Sequence, residues 1–455
     1  MNAAERLIEH ALAVEWYDLS ASAQASARAF LFDTICVGIA GRSAPLADTV
    51  LALAQSWGGH GTCAVLGHPT ARLSAPYAAF VNAFQIHAQE YDCVHEPAVA
   101  HPMATVGAAL LAEAGRGEQV TGAEFLAAMV AGVNVVATLG VAATSPLKFF
   151  RPATAGVFGS VAAIARLRRI DSQLARNAFG HALSFASGTM QAHVEGKPTL
   201  ALQVAGAARS AVEAIDLALA GVPAPVGSID GPFGYFALFE YHHCLDDTLD
   251  QLGRSQRIEE LSWKPFPTGR AAHGAIVALQ QMMTDQCITA NDLASFAYRA
   301  PPLVARLVGR RPYPGMDVAY ARLCFAWLGA VVLTRGTVGL ADFDLERLAD
   351  PALLSLAERI SVVSDENPNP AAFVPATATA TLTDGRMVEI VVEEQLGSPA
   401  WPLNREQQLA KARHCLGFGG GLYEIAQFEP ILDDFGSCAD ALAILMPPRP
   451  AQREG

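Results

Sequence analysis

Phe125-Leu-Ala-Ala-Met-Val-Ala-Gly-Val-Asn-Val-Val-Ala-Thr-Leu-Gly-Val-Ala-Ala143 is a run of 19 residues without a charge. By length alone it passes as a membrane span. Its make-up argues otherwise, because Ala, Gly and Val outnumber Leu, Ile and Phe, and Asn134 and Thr138 interrupt it. Small side chains let helices approach closely, so the run predicts a helix buried inside a helical core, with no membrane involved.

The flanks repeat the pattern. Ala-rich segments with helical periodicity recur at Ala21 to Gly38, Ala75 to Gln89, Met103 to Ala114, Gly156 to Leu167, Ser172 to Ala186 and Ala201 to Ala220. Thr121 and Asp171 stand where N-caps belong. Near Ser262 the composition changes: Ser262-Trp-Lys-Pro-Phe-Pro-Thr-Gly-Arg-Ala-Ala-His-Gly-Ala275 puts two prolines and a glycine ahead of a helical end. A buried-looking helix follows at Tyr320 to Leu333. Strand signals then arrive at Glu358 to Asp365, Thr377 to Gly385 and Met387 to Glu394, with Asp384-Gly385 as a hairpin turn. The chain returns to helix near Arg405, has one or two terminal helices within Leu422 to Leu445, and ends in a tail, Pro447 to Gly455, expected to fray. The expected fold is mainly α with an α+β part. A large all-helical domain is built from 1–262 and 396–455, and a smaller α+β lid domain from 263–395.

Composition narrows the function. Of 455 residues only 16% are charged and 52% are hydrophobic, against about 25% charged in an ordinary soluble domain. That excludes a disordered chain. A net charge of −13 excludes a broad nucleic-acid face but leaves room for a local positive pocket. The eight cysteines are scattered without a CxxC pair, which fits neither a disulfide framework nor a zinc site. The start, MNAAERLIEH, lacks a signal-peptide pattern, so a reducing cytoplasm is the expected compartment.

Three clusters could carry chemistry. Asp92, His95, Glu96 and His101 fall within ten residues, and Pro102 pushes His101 out of the helical region. A loop histidine beside a carboxylate suits general acid–base work. Asp92, His95 and His101 as metal ligands, or a capped helix end with surface histidines, are the other readings. Lys264, Arg270 and His273 share a Pro/Gly loop leading into a helix, a place for a carboxylate or merely a hinge. Lys148-Phe-Phe-Arg151-Pro-Ala-Thr-Ala-Gly156-Val-Phe-Gly159 matches no phosphate loop, and its glycines suggest close helix packing.

Together these stretches resemble the MmgE/PrpD family, which includes 2-methylcitrate dehydratase, cis-aconitate decarboxylase and iminodisuccinate epimerase. The resemblance covers nearly the whole chain. It rests on Asn82, His87, Glu90-Tyr91-Asp92, His95 and His101-Pro102, on Arg151-Pro152, Thr154, Gly156 and Phe158-Gly159, and most specifically on Lys264-Pro265-Phe266-Pro267, Arg270 and His273. It implies a helical domain with an α+β lid, a homodimer, a site between the domains and no metal or organic cofactor. It further implies a small carboxylic-acid substrate that loses a proton next to a carboxylate. Asp92, His101, Lys264 and His273 would be the catalytic residues, with Arg151, Arg270, His95 and Lys197 binding substrate. The chain departs from the family pattern where Arg151 replaces a histidine, and where Leu200, Ala201 and Gln203 replace a lysine, an arginine and a histidine. Lys197 is the nearest cation to that gap. The expected reaction is cofactor-independent elimination of water. Epimerisation or racemisation and decarboxylation are alternatives, as is a fold that binds small acids without catalysis.

Overall fold

The computed structural model describes residues 2–58 and 60–448. The expected tail therefore lies largely outside the described residues. The decisive helix runs Gly122–Ala142 and starts on a Thr121/Glu124 capping box. Among the described residues it alone is long and apolar enough to cross a membrane, and 94% of its most apolar window is buried inside the protein. Its small residues have a specific use. It lies against the helix Gly156–Leu167, and a Cβ on Gly132 would stand 2.7 Å from the Gly159 carbonyl oxygen. A Cβ on Gly159 would in turn stand 2.6 Å from the Gly132 carbonyl oxygen. The two backbones touch because neither position carries a side chain.

Around this pair the helices Ala75–His87, Pro102–Ala114, Ser172–Phe185 and Thr199–Leu219 pack on one another. One part of this half departs from the helical expectation. Cys63–Val65 and His68–Leu73 form a two-stranded antiparallel hairpin. Asn82 holds it, accepting from the Leu66 amide at 2.9 Å and donating to the Ala64 carbonyl at 3.2 Å.

After Trp263 comes a four-stranded sheet, ordered Ile360–Ser364, Leu293–Ala300, Ala376–Leu382 and Met387–Val392. The first pair is parallel and the others antiparallel. The Asp384-Gly385 turn is present, with Gly385 at φ +89°. The strand Leu293–Ala300 was missed by the sequence reading. The chain enters and leaves this region side by side, since the Trp263 amide donates to the Gly397 carbonyl at 2.8 Å. The helix Arg405–Phe418 then packs back on Ala21–Gly41, where Lys411 meets Asp33 at 2.7 Å and the Tyr91 carbonyl at 2.9 Å.

The helix expected over Tyr320 to Leu333 is broken. Val318–Ala321 ends, and Phe325–Arg335 begins after an extended Cys324. The break has tertiary causes. Cys324 pairs with Gly309 as a β-bridge, and the Arg322 carbonyl accepts from the Gly269 amide at 3.0 Å.

Candidate active site

His87 is the last residue of its helix, and the chain then turns through Glu90, which has φ +49°. A β-bridge from Val94 to Ser262 and another from His95 to Ala100 tie down the loop that follows. His101 is the non-helical residue just before Pro102, as the proline requires. The loop thus hooks onto the segment that carries Lys264, and the first two clusters become one site.

At its centre is buried Asp92. Its Oδ2 lies 3.1 Å from His87 Nδ1 and 3.1 Å from His101 Nδ1. Burial alone would raise the Asp92 carboxyl, but the two imidazoles together hold it well below the usual carboxylate range. An ionised Asp92 accepts from both rings, which assigns the proton to each Nδ1 and leaves each Nε2 for other work. The two rings differ. Burial pushes His87 down, and the charge and hydrogen bond of Asp92 more than reverse it, so His87 stands above the ordinary imidazole value. At His101 burial outweighs Asp92, and its value falls below the ordinary one. The two rings that share this carboxylate are thus shifted in opposite directions, His87 toward the protonated form and His101 toward the neutral one. Ligand atoms of His87, Asp92 and His101 lie within 4.8 Å of one another, close enough for a metal ion, but both Nδ1 atoms already meet Asp92 at hydrogen-bond distance.

Two cavities flank this relay. The smaller, of about 60 Å³, is walled by His101, Arg151, His193 and Arg270 among others. The larger, of about 310 Å³, is walled by His87, Lys197, Leu200, Ala201 and Arg322 among others, including residues 315–319 and 345 from beyond the junction. Glu90 and Leu200 belong to both walls. Among the described residues His101 Nε2 has no hydrogen-bond partner.

The cations named by the sequence are present, and each is already matched. Lys264 is fully buried and meets Glu90 Oε2 at 2.7 Å and the Glu90 carbonyl at 3.2 Å. Burial would raise Glu90, but Lys264, His87 and His101 bring it down to about 2. Arg270 donates to Glu96 at 2.8 Å, to the Leu396 carbonyl at 2.7 Å and to the Trp263 carbonyl at 3.2 Å, bracing the entry and exit of the sheet region. Arg151 binds Glu240 with two nitrogens, at 2.6 and 3.1 Å. Lys197 is half-exposed and meets Asp317 at 2.6 Å at the larger cavity.

Two named histidines stand back from the cavities. His95 Nε2 lies 2.8 Å from Glu260 and its Nδ1 accepts the Ala98 amide at 3.1 Å, so His95 holds the loop rather than joining Asp92 and His101 as a ligand set. His273 is buried behind Arg270, 3.3 Å from its Nη1. Burial, then Arg270 and Lys264, push it well below the ordinary imidazole value.

The sequence reading quoted His87 without giving it a role, and it missed Arg322 and His193. Arg322 is buried at the helix break and donates to the Gln89 and Pro267 carbonyls at 3.0 and 2.7 Å. Burial pushes it down to about 9, so it remains a cation at neutral pH. His193 is brought down to about 4, by burial first and then by Arg310.

The MmgE/PrpD N-terminal domain model matches residues 5–245, and the MmgE/PrpD C-terminal domain model matches residues 266–422. The chain belongs to the MmgE/PrpD family. Cis-aconitate decarboxylase of Mus musculus is 25% identical over 402 residues, covering 84% of this chain and 80% of that protein. The Homo sapiens protein of the same name is 25% identical over 345 residues, covering 73% and 70%. The cis-aconitate decarboxylase-like protein oryM of Aspergillus oryzae is 26% identical over 401 residues, covering 82% of each. Within the family frame, the Asp92–His101 pair and the Lys264 to His273 loop come together in space. The apolar pair Leu200 and Ala201 sits in the wall of the larger cavity.

Proposed function

We propose that this protein is a cofactor-independent lyase acting on a small carboxylic acid, with 263–395 serving as a lid over the helical body. The observation that carries the reading is the split pair of imidazoles on Asp92. Neutral His101 presents Nε2 to the smaller cavity and takes the proton α to a carboxylate. The C–H electrons pass into an enolate-like system and then form a C=C bond as the β C–O bond breaks. Protonated His87, in the wall of the larger cavity, gives the departing hydroxyl its proton, so one water leaves. Asp92 holds both rings in the required tautomer.

Decarboxylation is the second reading, favoured by the names of the three relatives. There a C–C bond breaks, CO2 leaves, and His87 protonates the carbon. Proton NMR of the enzyme with citrate, 2-methylcitrate, malate, tartrate and cis-aconitate separates the two. A new vinyl signal with loss of a hydroxyl-bearing carbon supports dehydration. Release of CO2 from an unsaturated acid replaces it by decarboxylation. Scrambling of a stereocentre with neither product points to epimerisation. Binding of an acid with no chemical change at all contradicts the enzyme reading.

A further inference from the structure

We propose that the larger cavity binds a carboxylic acid with an apolar arm, its carboxylate held by Arg322 next to His87 and its arm lying on Leu200 and Ala201. The inference rests on the reading above for the location of the reacting centre, but the binding it describes needs no turnover.

Two buried nitrogens carry it. Arg322 Nε and His87 Nε2 are both buried and both lack a hydrogen-bond partner among the described residues. Both side chains are only 1% exposed, and both line this one cavity. A buried donor left unmatched costs about 1–3 kcal/mol, more when charged, so Arg322 Nε in a cavity wall, beside a histidine nitrogen that is also open, marks a place where a ligand supplies the acceptor. The ligand group is anionic, because the open donor belongs to a cation, Arg322.

Charge counting fixes how many carboxylates fit here. The wall carries two carboxylates, Glu90 and Asp317, and each is matched by a lysine, Lys264 and Lys197. Arg322 has no carboxylate within hydrogen-bond distance. The cavity therefore has one unmatched fixed cation beside the His87 relay, which suits one carboxylate and not a cluster of them. The rest of the wall is apolar: Phe84, Leu200, Ala201, Met316, Val318 and Leu348. Nothing there solvates a second or third carboxylate, and about 310 Å³ of such space favours a hydrocarbon arm.

The test is calorimetric binding of straight-chain alkanoates from propanoate to octanoate, set beside tricarballylate, to the full-length protein. Each added CH2 is expected to tighten Kd about four-fold until the arm fills the cavity. Tricarballylate should bind more weakly than hexanoate. Leu200→Lys should reverse that order, and Arg322→Met should weaken every alkanoate at least ten-fold. Because Arg322 also braces the fold, Ala201→Phe gives an independent check: it should cut octanoate affinity ten-fold and leave propanoate unchanged. A flat series, or wild-type preference for tricarballylate that Leu200→Lys does not alter, overturns the proposal. If alkanoates bind as stated but no acid is ever turned over, the catalytic reading fails and this one stands. If only polycarboxylates bind and react, the reverse holds.

Discussion

The two cavities flanking Asp92 differ in what their charges are doing. Around the smaller one, Arg270 and Arg151 are each bound to an internal carboxylate, Glu96 and Glu240, and Lys264 behind them is bound to Glu90. Around the larger one, Arg322 and His87 keep a buried nitrogen unmatched in an apolar wall. The difference teaches that a cation at a motif position is not thereby a ligand for substrate. Most of the basic residues that mark this chain as a family member hold its loops together. The groups left free to meet a ligand are His101, His87 and Arg322.

The comparison breaks first at His101. His101→Gln should lower kcat by about 10²–10⁴-fold with an unchanged circular dichroism spectrum, and Asp92→Asn by a similar factor, since each removes the base or its orientation. If neither loses more than ten-fold, the relay is not the proton-transfer centre. The same base predicts the acid limb of the pH profile. His101 lies below its ordinary value of 6.5, so the acid limb of kcat/KM should have its midpoint below pH 6.5. A limb centred above 6.5 would assign it to another group.

Lys264 tests the structural side. Lys264→Met leaves Glu90 buried without its partner and should destabilise the fold by about 3–5 kcal/mol in urea titration, with Glu90→Gln in the same chain recovering much of it. Glu90 is depressed from 4.5 to about 2, so its contribution is complete above pH 4.5 and is lost as pH falls toward 2. The wild-type protein should therefore lose stability across that window, and the double variant should lose less. A smaller effect is expected at the Arg151–Glu240 pair. Changing both residues to Gln should keep kcat/KM within about five-fold, because the pair's charges cancel internally. A KM rise of a hundred-fold or more would return Arg151 to substrate binding. The smallest effect belongs to Lys197. Its bridge to Asp317 is solvated, so Lys197→Ala should leave Tm nearly unchanged.

What could be read from the sequence follows the range of the forces involved. The helix Gly122–Ala142 was legible because a charge-free run of small residues allows little else, and the Asp384-Gly385 hairpin because a two-residue signal suffices. The hairpin at Cys63–Leu73 was not, since its clamp, Asn82, is supplied from the helix that follows. The break at Arg322 was hidden for a similar reason: its cause is a bridge to Gly309 and an amide from Gly269, and the local stretch reads as helix. At the site, Asp92 and His101 stood out by density and by resemblance. The partner of Lys264 lies 174 residues away, so its pairing with Glu90 could not be seen in the linear pattern. His193 and Arg322 carry no local signal, being placed by tertiary packing alone.

The most direct test of the account follows deuterium from solvent into carbon. The protein is incubated in D2O with each acid of the NMR panel and with 3-hydroxyhexanoate, which joins one carboxylate to an apolar arm, beside His101→Gln at the same concentration. The account predicts loss of an α-proton signal, with or without water elimination, in at least one acid with the wild-type enzyme, and at least a hundred-fold slower loss with the variant. Equal exchange rates in the two proteins, or no exchange in any acid at high enzyme over hours, would contradict it.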